Sequence, residues 1–176
     1  LAHFFLIIPD FAKWLENGFF PYSPNILTDM KKSRPVNILL IEDNPGDVRL
    51  AQEAFKEGNI NVQLDVVMDG LEAIHFLHKD APYQDSNRPD LILLDLNLPK
   101  KDGREVLGEI KEDPALRSIP VVVLTTSNAE QDIKHSYDLH VNCYINKPVD
   151  FDRFFEIIKQ IEEFWLKTAI LPSMIP

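Results

Sequence analysis

Four apolar runs in this chain each stop at a residue that could handle phosphate. Ile38-Leu39-Leu40-Ile41 runs into Glu42-Asp43, and Leu91-Ile92-Leu93-Leu94 into Asp95. Val121-Val122-Val123-Leu124 runs into Thr125-Thr126, and the short run from Cys143 to Asn146 into Lys147. Gathered in one place, these groups suit phosphoryl transfer to a carboxylate. Three carboxylates together are costly, since two unit charges about 4 Å apart repel by about 4 kcal/mol at an effective dielectric of roughly 20. Such a cluster raises a pKa or recruits a cation. Oxygen-only ligands suit a hard divalent ion, and Mg²⁺ accepts a site with few protein ligands and several waters. Lys147 adds a positive charge, and Thr125 offers a hydroxyl to a phosphoryl oxygen. Singly, each residue is ordinary: an Asp at a strand end is usually a turn or cap residue, and a Lys there is usually solvated. The coincidence at four run ends carries the reading.

The runs themselves read as strands buried on both faces. Val62 to Met68 makes a further strand that alternates at first. Helical segments fall between them. Asn44-Pro45 opens one as cap and first residue, with Val48, Ala51 and Phe55 as its core stripe. Asp69 with Glu72, Asp102 with Glu105, and Ser127 with Glu130 have capping-box spacing. Behind them lie Ala73, Ile74 and Leu77, then Val106, Leu107 and Ile110, then Ile133 and Tyr137. Asp150 caps the last helix. Strand and helix alternating five times predict a parallel α/β sheet with helices on both faces. Ligands of such sheets sit at the carboxyl ends of the strands, where the polar residues collect.

The chain of 176 residues carries a formal charge of −10, which argues against a large nucleic-acid footprint or attraction to a membrane surface. No apolar stretch reaches the roughly 20 residues that span a bilayer, and Phe4–Ile8 makes a poor signal peptide. Cys143 is the only cysteine, which fits a reducing, cytoplasmic setting, and its neighbours place it in a strand rather than in catalysis.

Ile41-Glu42-Asp43-Asn44, Leu94-Asp95-Leu96-Asn97-Leu98-Pro99 with Asp102-Gly103, Leu124-Thr125-Thr126 and Lys147-Pro148 resemble the signature of two-component response-regulator receiver domains. The match covers about residues 36–168, in the family's order. The resemblance implies a doubly wound, five-stranded parallel sheet in flavodoxin-like order 2-1-3-4-5. It implies phosphorylation on Asp95 and Mg²⁺ held by Asp43, Asp95 and the Asn97 backbone carbonyl, with Glu42 beside it. Thr125 would be the switch hydroxyl, Lys147 the phosphate-pairing lysine and Tyr144 the aromatic partner of the switch. It also implies a cis Lys147–Pro148 peptide. A finer resemblance, in Asp95 to Val106, Ser136 to Tyr144 and Ile161 to Leu166, is to small regulators that partner cyanobacterial phytochromes. It implies a phytochrome-like sensor histidine kinase as partner, and a homodimer.

One competing function is an aspartate-nucleophile phosphatase on a similar sheet. Asn97 stands where such enzymes of the haloacid-dehalogenase type place a second aspartate. A constitutive scaffold is the third reading, and the complete acceptor set argues against it. The chain shows no Walker loop and no Gly-x-Ser-x-Gly elbow. His75 and His78 share a helix face but lack an obvious carboxylate partner, so a solvated face is expected. The residues after the last helix are too few for a DNA-binding output domain, so output by protein–protein contact, or phosphate relay to another protein, is expected.

From Asp150 one long helix is expected, with Phe151, Phe154, Phe155, Ile157, Ile158, Ile161, Phe164 and Trp165 spread over an arc of about 180°. Ile157 and Phe164 lie at one edge of it and are candidate anchors of a homodimer through this face, extended by Ala169-Ile170-Leu171-Pro172. Met30-Lys31-Lys32 has the look of a start, which makes residues 30–176 the receiver. Residues 1–29 are then expected to be a non-native extension outside it, with one short helix over 9–17.

Overall fold

The computed structural model of the chain describes residues 34–174. The expectations for residues 1–29 lie outside these. Five strands form one parallel sheet: β1 (Val36–Ile41), β2 (Val62–Val67), β3 (Leu91–Leu94), β4 (Val121–Thr125) and β5 (Cys143–Asn146). Their order is β2-β1-β3-β4-β5, as expected. Between them run α1 (Pro45–Glu57), α2 (Gly70–His78), α3 (Gly103–Glu112) and α4 (Glu130–Asp138), and α5 (Phe151–Ile161) follows β5.

Strand side chains alternate between two cores. Ile38, Leu40, Leu91, Leu93, Val122 and Leu124 pack with α1 and α5, through Ala51, Phe55, Phe154 and Ile158. Leu39, Ile41, Ile92, Leu94, Val121 and Val123 pack with α2 and α3, through Phe76, Val106, Leu107 and Ile110. This is why the strand runs are apolar without a break. Each fully buried Leu, Ile or Val contributes about 1.5–3 kcal/mol. The sheet is thus a stiff base for the groups at its carboxyl edge.

Most helix starts match their caps. Asn44 Oδ1 accepts from Gly46 N at 2.8 Å, Asp69 Oδ1 from Glu72 N at 2.7 Å, and Asp150 Oδ1 from Arg153 N at 2.9 Å. Asp102 and Glu105 form a reciprocal capping box. The Ser127–Glu130 box is absent. α4 begins after Ala129 with no side-chain cap, and the Ser127 hydroxyl donates to Asp132 instead. A cap is worth about 1 kcal/mol, and a bond to a charged group about 1.5–3 kcal/mol, so the charged partner wins. α4 is also shallower than its stripe suggested: Ile133 is half-buried, Tyr137 is exposed, and Ser136 is its buried residue.

The last helix departs most from expectation. α-Helical geometry ends at Ile161, and Glu162–Thr168 is π-helical. The wider turn changes which residues face inward: Glu162 and Leu166 are buried, while Phe164 is 55% exposed. Ile157 is half-buried against its own core and so is not surplus surface, and Phe151 is exposed. The tail does not extend an outer face either. Leu171 and Met174 are buried in the α1/α5 core, and Ile170 stays out. The Lys147–Pro148 peptide is trans, contrary to expectation; Ala81–Pro82 is the cis bond among the described residues.

Candidate functional site

The polar strand ends do converge. Glu42 follows β1, Asp95 follows β3, Thr125 closes β4 and Lys147 follows β5. All four are buried, at 2%, 6%, 0% and 5% exposure, although none is apolar. Lys147 Nζ lies 2.6 Å from Asp95 Oδ2 and 3.1 Å from Asp47 Oδ2, and also donates to the Glu42 carboxylate. Asp95 Oδ1 accepts from the Asn97 N–H at 3.0 Å, and Glu42 Oε1 from the Asn44 N–H at 3.1 Å. Asp43 is exposed at the rim.

One ammonium therefore serves three carboxylates. Burial pushes the Glu42 carboxyl up to about 7, against the opposing pull of Lys147. Burial alone would lower the Lys147 ammonium, but Glu42 and Asp95 outweigh it and raise the group above its ordinary value. The site still holds more negative charge than one lysine offsets. One carboxylate oxygen each from Glu42, Asp43 and Asp95 lies within 4.8 Å of the other two. An all-oxygen donor set with surplus negative charge fits a hard divalent cation.

Nothing in the sequence singles out Asp47. It sits in the first turn of α1, where an acid is ordinarily read as favouring the helix dipole. Only the fold shows it reaching Lys147. α3 begins close to the cluster because of Gly103: a Cβ there would overlap the Asp95 carbonyl. The Gly103 N–H donates to the Leu96 carbonyl at 2.9 Å, which closes the loop after Asp95.

Thr125 Oγ1 accepts from the Ser127 N–H at 3.3 Å and from Asn97 Nδ2 at 3.4 Å. Tyr144 does not close β5: it pairs with Val123, and Asn146 is the residue opposite Thr125. The Tyr144 hydroxyl instead donates to the Ser127 carbonyl at 2.9 Å, in the loop that follows Thr125. Tyr144 and Thr125 thus meet through Ser127. Cys143 lies half-buried in β5 beside the α1/α5 core. His75 Nδ1 does have a carboxylate neighbour, Asp80 at 3.0 Å, but both are exposed. Among the described residues the only metal-capable cluster is the one at the strand ends.

A family model for the response regulator receiver domain matches residues 38–159. The chain belongs to the response regulator receiver family. This receiver is 54% identical over 139 residues to the response regulator Rcp1 of Synechocystis sp., covering 79% of this chain and 95% of that one. The crystal structure of the phosphorylated cyanobacterial phytochrome response regulator RcpA is similar, with TM-score 0.78 and 58% identity over 80% of this chain and all of that one. The Mn²⁺-bound form of Rcp1 matches with TM-score 0.77 and 54% identity over 78% of this chain and 99% of that one. Receivers are signalling modules, and membership does not favour the phosphatase reading of Asp95. No helix among the described residues is long and apolar enough to cross a membrane.

Proposed function

We propose that this receiver takes a phosphoryl group on Asp95 from a phytochrome-like sensor histidine kinase and signals by protein–protein contact. The observation that carries the reading is the Asp95 carboxylate, buried between Lys147 Nζ and the Asn97 N–H with Glu42 and Asp43 beside it. In the transfer, the phosphorus–nitrogen bond of a phosphohistidine breaks and a phosphorus–oxygen bond to Asp95 forms. The imidazole leaves with the electron pair and takes a proton from solvent. The domain assists only its own phosphorylation and dephosphorylation. Similarity to RcpA and Rcp1 supports the phytochrome assignment. A cytoplasmic setting is part of the same reading.

Asp43, Asp95 and the Asn97 carbonyl would hold Mg²⁺, with Glu42 adjacent. When bound, the ion supplies charge neutralisation to the phosphoryl oxygens. Lys147 then pairs with the transferred group, and Thr125 donates to one of its oxygens. Asp43→Ala is expected to weaken Mg²⁺ binding by about tenfold or more, since loss of even an outer-shell partner typically costs about 10–100-fold. Titration calorimetry checks this, and equal affinities for variant and wild type would remove Asp43 from the ligand set.

We also infer a homodimer through the face containing α5. Val149, Phe151, Phe164 and Ile170, in α5 and the segments flanking it, are exposed apolar residues. Phe164 stacks edge-on against Trp165 with centroids 5.2 Å apart, which fixes the ring for contact. Aromatic anchors of this kind cost about 2 kcal/mol or more when lost from an interface. Phe164→Glu is therefore expected to shift the dimer toward monomer in sedimentation without lowering the unfolding midpoint. Ile157→Glu is expected to lower that midpoint, because Ile157 packs on its own core. A folded wild type that stays monomeric at high concentration would defeat the inference.

A further inference from the structure

One network lies outside the phosphate cluster and joins two of its loops. Arg104, in the first turn of α3, donates from Nε to Asp132 Oδ1 at 2.8 Å and from Nη2 to Asp132 Oδ2 at 2.5 Å. Its Nη1 is held by both Asp102 oxygens, at 3.0 and 2.9 Å. Asp132, in the first turn of α4, also accepts from the Ser127 hydroxyl. The hydrogen bond to Asp132 raises the Arg104 guanidinium above its usual range, and the same bond brings the Asp132 carboxyl down to about 2.

Ser127 is where this network meets the switch residues. Its N–H donates to Thr125 Oγ1, and its carbonyl accepts from the Tyr144 hydroxyl and from Asn146 Nδ2 at 3.1 Å. The other end is rooted beside the acceptor. Arg104 directly follows Gly103, which packs on the Asp95 backbone. The guanidinium therefore straps the loop after β4 to the loop after β3. Its planar fork meets the Asp132 carboxylate with two bonds, which fixes direction as well as distance.

We propose that the Arg104–Asp132 ion pair is a latch that holds the Ser127 loop in its resting position and so sets how readily Thr125 engages a phosphoryl group. The proposal rests on the reading of Asp95 as the acceptor. Thr125 is fully buried, and its Oγ1 is tied to the Ser127 N–H. Drawing that hydroxyl toward Asp95 pulls on Ser127, which can follow only when its tie to Asp132 loosens. Arg104 and Asp132 are thus positioning residues, acting through Ser127 on the hydroxyl that meets the phosphoryl oxygen.

The test is binding of beryllofluoride, a phosphoryl mimic, with Mg²⁺ to the full chain. Arg104→Gln and Asp132→Asn both break the Arg104–Asp132 ion pair, the first also losing the Asp102 bonds and the second the charged partner of the Ser127 hydroxyl, so either variant that folds decides the matter. Each is expected to bind beryllofluoride about fivefold or more tightly, the low end of typical coupling between sites. The double variant should add little, because both changes open one latch. In a Thr125→Ala background the gain should vanish. A purely structural pair would lower the unfolding midpoint and leave the mimic's affinity unchanged. Unchanged or weaker binding, a gain that persists without the Thr125 hydroxyl, or failure of both variants to fold would overturn the latch. A wild type that binds no beryllofluoride and takes no label on Asp95 would overturn the acceptor reading itself.

Discussion

Asp95→Asn is expected to take no label from acetyl phosphate at any Mg²⁺ concentration, while remaining folded. The two side chains have nearly the same shape, so the change opens no cavity and introduces no clash. The amide lacks the anionic oxygen that must attack phosphorus. It also removes one negative charge from a cluster that holds Glu42, Asp43, Asp47 and Asp95 around one lysine. The variant should therefore be no less stable than wild type without metal. Intact-mass measurement after acetyl phosphate treatment checks the label, and thermal melting checks the fold. Undiminished labelling of the folded variant would remove Asp95 as acceptor.

Lys147→Met is expected to cost both stability and phosphorylation rate. The ammonium is buried, with three carboxylates within reach. Removing one partner of a buried ionic cluster leaves uncompensated charge, at a cost of about 3–5 kcal/mol. The cost depends on pH through Glu42. Its folded pKa, about 7, is raised above the unfolded value. A carboxyl raised in this way contributes stability that is present below the unfolded pKa and is lost as pH rises through the folded value. Without Lys147 the folded value moves higher still, because the opposing attraction is gone. The variant's deficit should therefore be smaller near pH 5 than above about pH 7. Denaturant titrations at several pH values measure it. A deficit independent of pH would mean that Glu42 does not feel Lys147.

The chemistry-bearing residues were legible because a buried parallel strand is apolar without interruption, so the first polar residue after it marks the sheet edge. Glu42, Asp95 and Thr125 are such residues; Lys147 lies on the same edge but follows the partly exposed β5, which already ends in the polar Asn146. The doubly wound order came with the resemblance in their motifs. What stayed hidden depends on contacts far apart in sequence. Asp47 has the look of a first-turn acid until α1 is placed beside Lys147, 100 residues away. Ser127 and Glu130 have cap spacing, but Arg104 fixes Asp132, and Asp132 captures the Ser127 hydroxyl. Periodicity failed at the end of α5 because it was drawn at the α-helical angle. In the π-helical Glu162–Thr168, Leu166 turns inward and Phe164 outward. Leu171 reads as surplus apolar surface only while the tail is imagined leaving the domain, and it folds back into the core.

The most direct test of the central claim is phosphotransfer from a labelled phytochrome-like histidine kinase of the source organism. The kinase is autophosphorylated, freed of ATP and mixed with this chain and Mg²⁺. The account predicts that label leaves the kinase within seconds to minutes and is recovered on the peptide containing Asp95, with none transferred to Asp95→Asn. Label that stays on every such kinase, or that moves to a residue other than Asp95, would contradict it.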